Sequence, residues 1–337
     1  MVHCASLCQI DPTQLAAVWY AGSREGARDV AIFYSTRDLP RESASFGSPS
    51  APSVWSPPRR LIDQPQAEAE LSQRVKKLGN PVLFSDTESR IWMVYVSVGM
   101  GGWSGSSLNA KVSQDGGRTW SNSQKLYLSP FLNISTLVRS TPVLLSSGEI
   151  LLPIYHEFLG KFPELLRLRY EAGRVHYSKQ RLVGSSDFIQ PAIAVTGERD
   201  ATVLHRDMVR RGTAFQTTRD AGQTWSPPAW TGLPNSNSSV AVASTSEQRL
   251  LVAWNDSPTD RANLTLALSG DGPQQWTRLA VIENEPGERF SYPSMIRDRD
   301  GFFHLVYTWK RNKIEHVTFN EAWLTRQEQA AERKRTT

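Results

Sequence analysis

Cysteine is almost missing from the 337 residues: Cys4 and Cys8 are the only two. Two thiols can neither staple a chain of this length nor build a four-thiolate zinc site, which excludes disulfide scaffolds and zinc fingers. No uninterrupted apolar run approaches the roughly 20 residues that span a bilayer, so no transmembrane helix is expected. Apolar residues at 39% and charged residues at 21% lie outside the disordered and collagen-like regimes and describe an ordinary soluble globular protein. Charge of one sign is also scarce. The formal net charge is +5 and the isoelectric point about 9.2. The one basic block, Arg333-Lys334-Arg335, lies in the tail beside no nucleic-acid module, so nucleic acid is not an expected partner. The start, residues 1–12, lacks a positively charged opening and a long apolar stretch. No signal peptide is therefore expected: the chain as written reads as cytoplasmic, and as secreted or periplasmic if its N-terminus is truncated.

What is plentiful is tryptophan, 11 against 9 Tyr and 5 Met. Several of these residues end a repeat. Residues 112–121, with Ser113, Asp115, Gly117, Thr119 and Trp120, match residues 217–226, with Thr218, Asp220, Gly222, Thr224 and Trp225. The shared pattern is Ser/Thr-x-Asp-x-Gly-x-Thr-Trp. A degenerate copy runs from Ser269 to Trp276, and a split one begins at Ser35 and resumes at Val54-Trp55-Ser56 after a Pro/Ser/Ala-rich insertion. Trp225 and Trp276 are 51 residues apart and Trp120 and Trp225 are 105 apart, about two such periods, so one unit between them has lost its motif. Ser/Thr and Asp two residues apart can bond the backbone of a tight turn, Gly supplies positive φ, and Trp covers the turn from its apolar side. The aspartates therefore read as turn residues, recurring where no single site could use them all.

Paired strand-like segments accompany the motifs: 14–21 with 29–36, 90–98 with 108–113, 149–157 with 165–170, 199–205 with 212–218, 249–255 with 263–269, and 302–309 with 313–319. Helical periodicity of any length is confined to the C-terminus. Short, evenly spaced strands with one aromatic motif per unit predict an all-β fold, a six-bladed β-propeller. Residues 1–324 are expected to form one domain and 325–337 a polar, basic tail, frayed or a short exposed helix.

The repeat is the Asp box, and with residues 19–30, Leu137-Val138-Arg139-Ser140-Thr141-Pro142, Pro153-Ile154-Tyr155-His156-Glu157 and Phe290-Ser291-Tyr292-Pro293-Ser294 the chain resembles the sialidase (neuraminidase) superfamily. More closely it is similar to the bacterial Asp-box (BNR-repeat) sialidase-like proteins. The resemblance implies a retaining exo-α-sialidase-like glycosidase acting on sialylated or other acidic glycans without metal or cofactor. In such enzymes three arginines hold the sugar carboxylate, because planar guanidinium forks pair bidentately with it. A Tyr activated by a Glu attacks the anomeric carbon, and an acid/base residue protonates the leaving group.

Carried over by motif, the resemblance makes Tyr292 the nucleophile, Arg206 and Arg261 two arms of the carboxylate clamp, and Glu25 the acid/base, with Arg24 and Asp29 beside it in the same loop. Two positions depart from the pattern. Gln190 stands where the activating glutamate is expected, and an amide is no general base; His3 stands where the first clamp arginine is expected. Glu157 or His156 is the expected substitute base, at the end of an apolar strand with Tyr155. Arg139, Trp103, Asn255 and Arg311 are further contact candidates, Trp103 for stacking on a sugar. Gln190 keeps two rivals open. One is a uronate-directed polysaccharide lyase, in which His156 or Tyr155 takes the proton α to a neutralised carboxylate; the other is a glycan-binding propeller without catalysis.

Overall fold

The computed structural model describes residues 1–39, 54–129, 133–171, 174–184 and 186–336. The insertion after Asp38 falls largely outside the described residues, as does Thr337.

Six small antiparallel sheets follow one another along the chain. Blade 1 is β1 (Val2–Asp11), β2 (Gln14–Ala21), β3 (Ala31–Asp38) and β4 (Arg59–Ile62). A short helix α1 (Gln64–Leu71), capped by Asp63, leads to blade 2: β5 (Lys77–Ser85), β6 (Ile91–Val98), β7 (Ser106–Ser113) and β8 (Gln124–Lys125). Blade 3 has an interrupted inner strand, β9 (Leu137–Val138) and β10 (Val143–Leu144), then β11 (Ile150–His156), β12 (Phe162–Glu171) and β13 (Arg174–Arg181). Blade 4 is β14 (Phe188–Val195), β15 (Ala201–Asp207), β16 (Ala214–Thr218) and β17 (Ala229–Trp230), and blade 5 is β18 (Ala241–Ser244), β19 (Leu250–Trp254), β20 (Asn263–Ser269) and β21 (Trp276–Asn284). Blade 6 keeps three strands, β22 (Phe290–Arg297), β23 (Phe302–Trp309) and β24 (Lys313–Asn320). Each blade's first strand touches that of the next, and β22 touches β1, so the sheets form a closed ring. The fold is the expected all-β, six-bladed propeller, and the expected strand pairs are strands two and three of each blade.

The Asp boxes sit in turns between third and fourth strands. In the first, Ser113 Oγ accepts from Gly117 N at 2.8 Å, Asp115 accepts from Thr119 N and Oγ1 at 2.8 and 2.6 Å, and Trp120 Nε1 donates to Gly117 O at 3.1 Å. The second repeats this with Thr218, Asp220, Gly222, Thr224 and Trp225. These bonds draw Asp115 down to about 2 and hold Asp220 well below the carboxylate range. Each tryptophan also braces the blade before its own. Trp120 meets Tyr34 of blade 1 edge-on at 5.9 Å, Trp225 packs in a cluster with Leu151 and Leu165 of blade 3, and Trp276 joins one with Leu204 and Phe215 of blade 4. Trp55 closes the ring by packing with Ile296, Ile314 and His316 of blade 6.

Four inner strands carry the same irregularity. Their pairing to the second strand breaks at His3/Ser6, Gly79/Val82, Ile189/Ala192 and Ser291/Ser294. The first unpaired residue is left-handed in every case: Cys4 (φ 55), Asn80 (46), Gln190 (48) and Tyr292 (55). In three of them a proline follows, Pro81, Pro191 or Pro293. Proline has no N–H for the ladder, so it forces a bulge, and the bulge re-aims the residue before it. In blade 3 the unpaired stretch runs from Arg139 to Pro142, and Arg139, 1% exposed, spans the ring: it donates to the carbonyls of Ala5 (3.4 Å), Tyr292 and Pro293 (3.1 Å).

The C-terminal segment is a helix, α2 (Glu321–Thr336), which begins before the boundary read from sequence and is docked. Leu324 is buried against blades 5 and 6, and Arg249 pairs with Glu328. No helix among the described residues is long and apolar enough to cross a membrane.

Candidate functional site

The end of the ring opposite the Asp boxes holds the expected site residues. Tyr292, half-buried, is boxed in by His3, whose ring stands edge-on 4.6 Å away, and by the guanidinium carbons of Arg139 and Arg261, 5.2 and 5.8 Å from its ring centre. Arg206 and Arg261 both hold Asn237: Arg206 Nε donates to its side-chain oxygen at 2.7 Å and Arg261 Nη2 to its carbonyl at 2.6 Å. Burial first, and the neighbouring Arg206 second, lower the proton affinity of Arg261. Tyr292, Arg261 and Arg311 line one open cavity of about 780 Å³ over blades 5 and 6, together with Arg210, Arg289 and Asn237.

Gln190 is fully engaged. Its carbonyl oxygen accepts from Arg206 Nη1 at 2.8 Å and its amide reaches the Tyr155 hydroxyl at 3.4 Å. Burial, reinforced by Glu157, pushes the Tyr155 phenol far up. Glu157 itself is raised by burial, against the pull of Lys161 and Arg206. Side chains alternate along a strand, so Tyr155 and Glu157 share a face and His156 takes the other. His156 stacks on Phe162 at 4.7 Å and accepts from Leu159 N at 3.2 Å, away from the cleft, which corrects its reading as a base.

Other expectations need correction as well. His3 is 1% exposed, and burial, followed by Arg311, Arg139 and Arg261, lowers it to about 3; it is neutral and cannot replace a clamp arginine as a cation. The Thr308 hydroxyl accepts from Cys4 N at 3.1 Å and lies 3.2 Å from His3 Nδ1, while His3 Nε2 has no partner among the described residues. Asp29 is a turn residue, bound to Ser23 N and Oγ at 2.8 and 2.9 Å, and Arg24 is exposed in the same loop. Glu25 differs from both: it is half-buried, and its charge acts on Cys4 and on Tyr20. Asn255 is buried and ties blade 5 to blade 6 through the carbonyls of Asn263 and Phe290 (2.9 Å). Arg139 is the cross-brace already described, not a free contact. Trp103 sets the edge of its ring against Gly79, where an added Cβ would come within 2.7 Å of it, and packs on blade 2 outside the cavity lining.

Sequence reading missed Asn237, Arg210 and Arg289, which sit in loops without periodicity. The X-Pro steps in apolar strands were the available signal for the bulges at Asn80, Gln190 and Tyr292. Among the described residues no group of three or more His, Cys, Asp or Glu is placed to hold a metal.

A closed six-bladed ring with Asp-box turns at one end and a tyrosine-arginine cluster at the other is a sialidase-like propeller. Residues 13–305 match the BNR repeat-like domain family, and the chain belongs to it. In structure it is similar to the Hadza microbial sialidase Hz136, at 17% identity and a TM-score of 0.75, covering 95% of this chain and 66% of that one. The NanB sialidase from Streptococcus pneumoniae matches at 10% identity and a TM-score of 0.72, covering 96% and 69%. Trypanosoma rangeli sialidase matches at 13% and 0.67, covering 96% and 55%. The chain thus spans between about half and two thirds of the length of these sialidases. Identities this low show a shared fold. No curated protein matches it in sequence.

Proposed function

We propose that the protein is a retaining glycosidase resembling exo-α-sialidases, which releases a terminal acidic sugar from glycans. The observation that carries this reading is Tyr292, turned by a proline bulge onto Arg261 beside Arg206. The two guanidinium groups, held side by side by Asn237, bind the sugar carboxylate and set the anomeric carbon over Tyr292. The Tyr292 oxygen attacks that carbon while Glu25, as the carboxylic acid, gives its proton to the departing glycosidic oxygen. Water then attacks the anomeric carbon of the glycosyl-tyrosine, gives a proton to Glu25 and displaces the Tyr292 phenolate, which takes its own proton back from the base that had received it. Gln190 cannot take the Tyr292 proton. Glu157, whose raised carboxyl is the stronger base for it, is the group we assign to receive it, on the same side as Tyr155.

A fluorogenic α-sialoside tests this: wild type releases fluorophore, and Tyr292→Phe lowers kcat by about 10³-fold or more. No turnover of any member of a broad sialoside panel would overturn it. The Gln190 amide, held from both sides, supports a second reading, a glycan-binding propeller without catalysis. Under that reading sugar affinity survives Tyr292→Phe and falls with Arg206→Ala. For a lyase, Tyr155 is left as the base once His156 is removed from the cleft; an ultraviolet-absorbing unsaturated product from a uronate polymer would select it.

A further inference from the structure

The cavity beside Tyr292 holds more positive charge than one carboxylate requires. Beyond Arg261 on its wall and Arg206 behind Asn237, three arginines line it from three separate segments: Arg210 from the turn after β15, Arg289 from the connection into β22, and Arg311 from the turn after β23. All three are exposed, and none has a side-chain hydrogen bond or ion pair among the described residues. Several arginines elsewhere on the protein are paired, as in Arg167 with Glu149, Arg211 with Asp207 and Arg249 with Glu328. The acids of the cavity are occupied by other groups. Asp256 holds Arg278, Asp260 accepts from Ala262 N at 2.9 Å, and Glu288 lies 3.7 Å from Lys310. Arg210 and Arg311 also occupy left-handed positions, φ 63 and 58, where a turn by itself favours Gly, Asn or Asp. A volume of about 780 Å³ stands in the upper part of the range of about 300–1,000 Å³ usual for ligand pockets.

We infer that the cavity takes a glycan with two anionic groups. The carboxylate of the terminal sugar sits on Arg206 and Arg261, which rests on the glycosidase reading above. A second oxyanion, a carboxylate or a sulfate ester on the adjoining sugar, sits on Arg210, Arg289 and Arg311. Guanidinium groups pair with either through charge-assisted hydrogen bonds, and three unpaired cations in one concavity raise the local concentration of such a ligand.

The test is calorimetric binding at low salt, with the Tyr292→Phe protein used to prevent turnover and each arginine variant made in that background. The ligands are sialyllactose, an α2,8-linked disialyl oligosaccharide, a sialyl oligosaccharide with a 6-sulfate on the adjoining sugar, and lactose 6-sulfate. At least one of the two doubly anionic ligands is expected to bind about tenfold or more tighter than sialyllactose, and which one identifies carboxylate or sulfate as the second group. That advantage should disappear in Arg210→Gln/Arg289→Gln and shrink with added salt, while sialyllactose affinity stays unchanged. Equal affinity for the three sialosides, or an advantage that survives the double substitution, overturns the inference. If sialyllactose fails to bind and Arg261→Gln changes nothing, the inner clamp is wrong. Lactose 6-sulfate then decides the rim on its own: binding lost in the double variant upholds it, and no binding overturns it. A melting curve for each variant checks that the fold is intact.

Discussion

The two ends of the propeller spend polar residues in opposite ways. At the Asp-box end every motif polar group of the two complete copies bonds within its own turn: Ser113 with Gly117, Asp115 with Thr119, and the same again at Thr218, Asp220 and Thr224. At the cleft end several polar groups bond between strands, loops or blades far apart in the chain, or have no partner among the described residues. Arg139 reaches blades 1 and 6, Arg206 bridges Gln190 and Asn237, and His3 Nε2, Arg210, Arg289 and Arg311 have no partner among the described residues. Turn-satisfied groups stabilise a local hairpin whatever the rest of the ring does. Groups that meet only across blades depend on ring closure, and those left open remain available to a ligand.

Acid should separate the ends most strongly. Burial lowers His3 and His205, both on the cleft side, to about 3, so each stays neutral in the folded protein while the unfolded chain takes up a proton below its ordinary 6.5. A histidine lowered in this way contributes stability that is present above about 6.5 and is lost as pH falls toward 3. The slope is up to about 1.4 kcal/mol per pH unit for each. Asp115 keeps its charge down to about 2 and with it the turn bonds. Urea midpoints at pH 7 and pH 5 should differ in that sense, and amide exchange should protect Thr119 and Thr224 longer than Cys4 as pH falls. Equal loss of protection at both ends would break the comparison.

Trp225→Ala comes next. It removes the brace on blade 3 and should cost about 3 kcal/mol in thermal or urea unfolding, while kcat/KM on a sialoside is unchanged, because nothing at the Asp-box end touches the cleft. A parallel fall in kcat/KM below the melting transition would show the ends to be coupled. Gln190→Glu gives the smallest effect and the sharpest test of the cleft. It sets a carboxylate between Arg206 and Tyr155, and if proton removal from Tyr292 limits turnover, kcat should rise by about tenfold with little change in melting temperature. An unchanged kcat would leave Glu157 as the sufficient base.

The second and third strands of each blade were readable because one stretch alternates and the Asp box marks its end. Inner strands such as β14 and β5 were not read, since residues apolar on both faces carry no period. Within the site, Tyr292, Arg206 and Arg261 could be named from motif order. Residue order says nothing of facing, however. His156 and Glu157 are neighbours in sequence, yet strand parity sends one to Phe162 and the other toward Tyr155. Asn255 and Arg139 read as contacts because both are polar at strand ends; in the ring both are buried and bonded to backbone carbonyls.

The sequence by itself determined the repeat, the blade number and the turn chemistry, because a Ser/Thr-x-Asp-x-Gly-x-Thr-Trp hairpin is satisfied within a dozen residues. Tertiary structure alone decided the cleft. Tyr292 meets His3 across 289 positions of chain and Arg139 across 153. Only closure of the ring, with bulges turning four of the inner strands, three of them at a proline, brings together side chains so far apart in sequence, and burial there, rather than residue type, makes His3 neutral and Glu157 a stronger base.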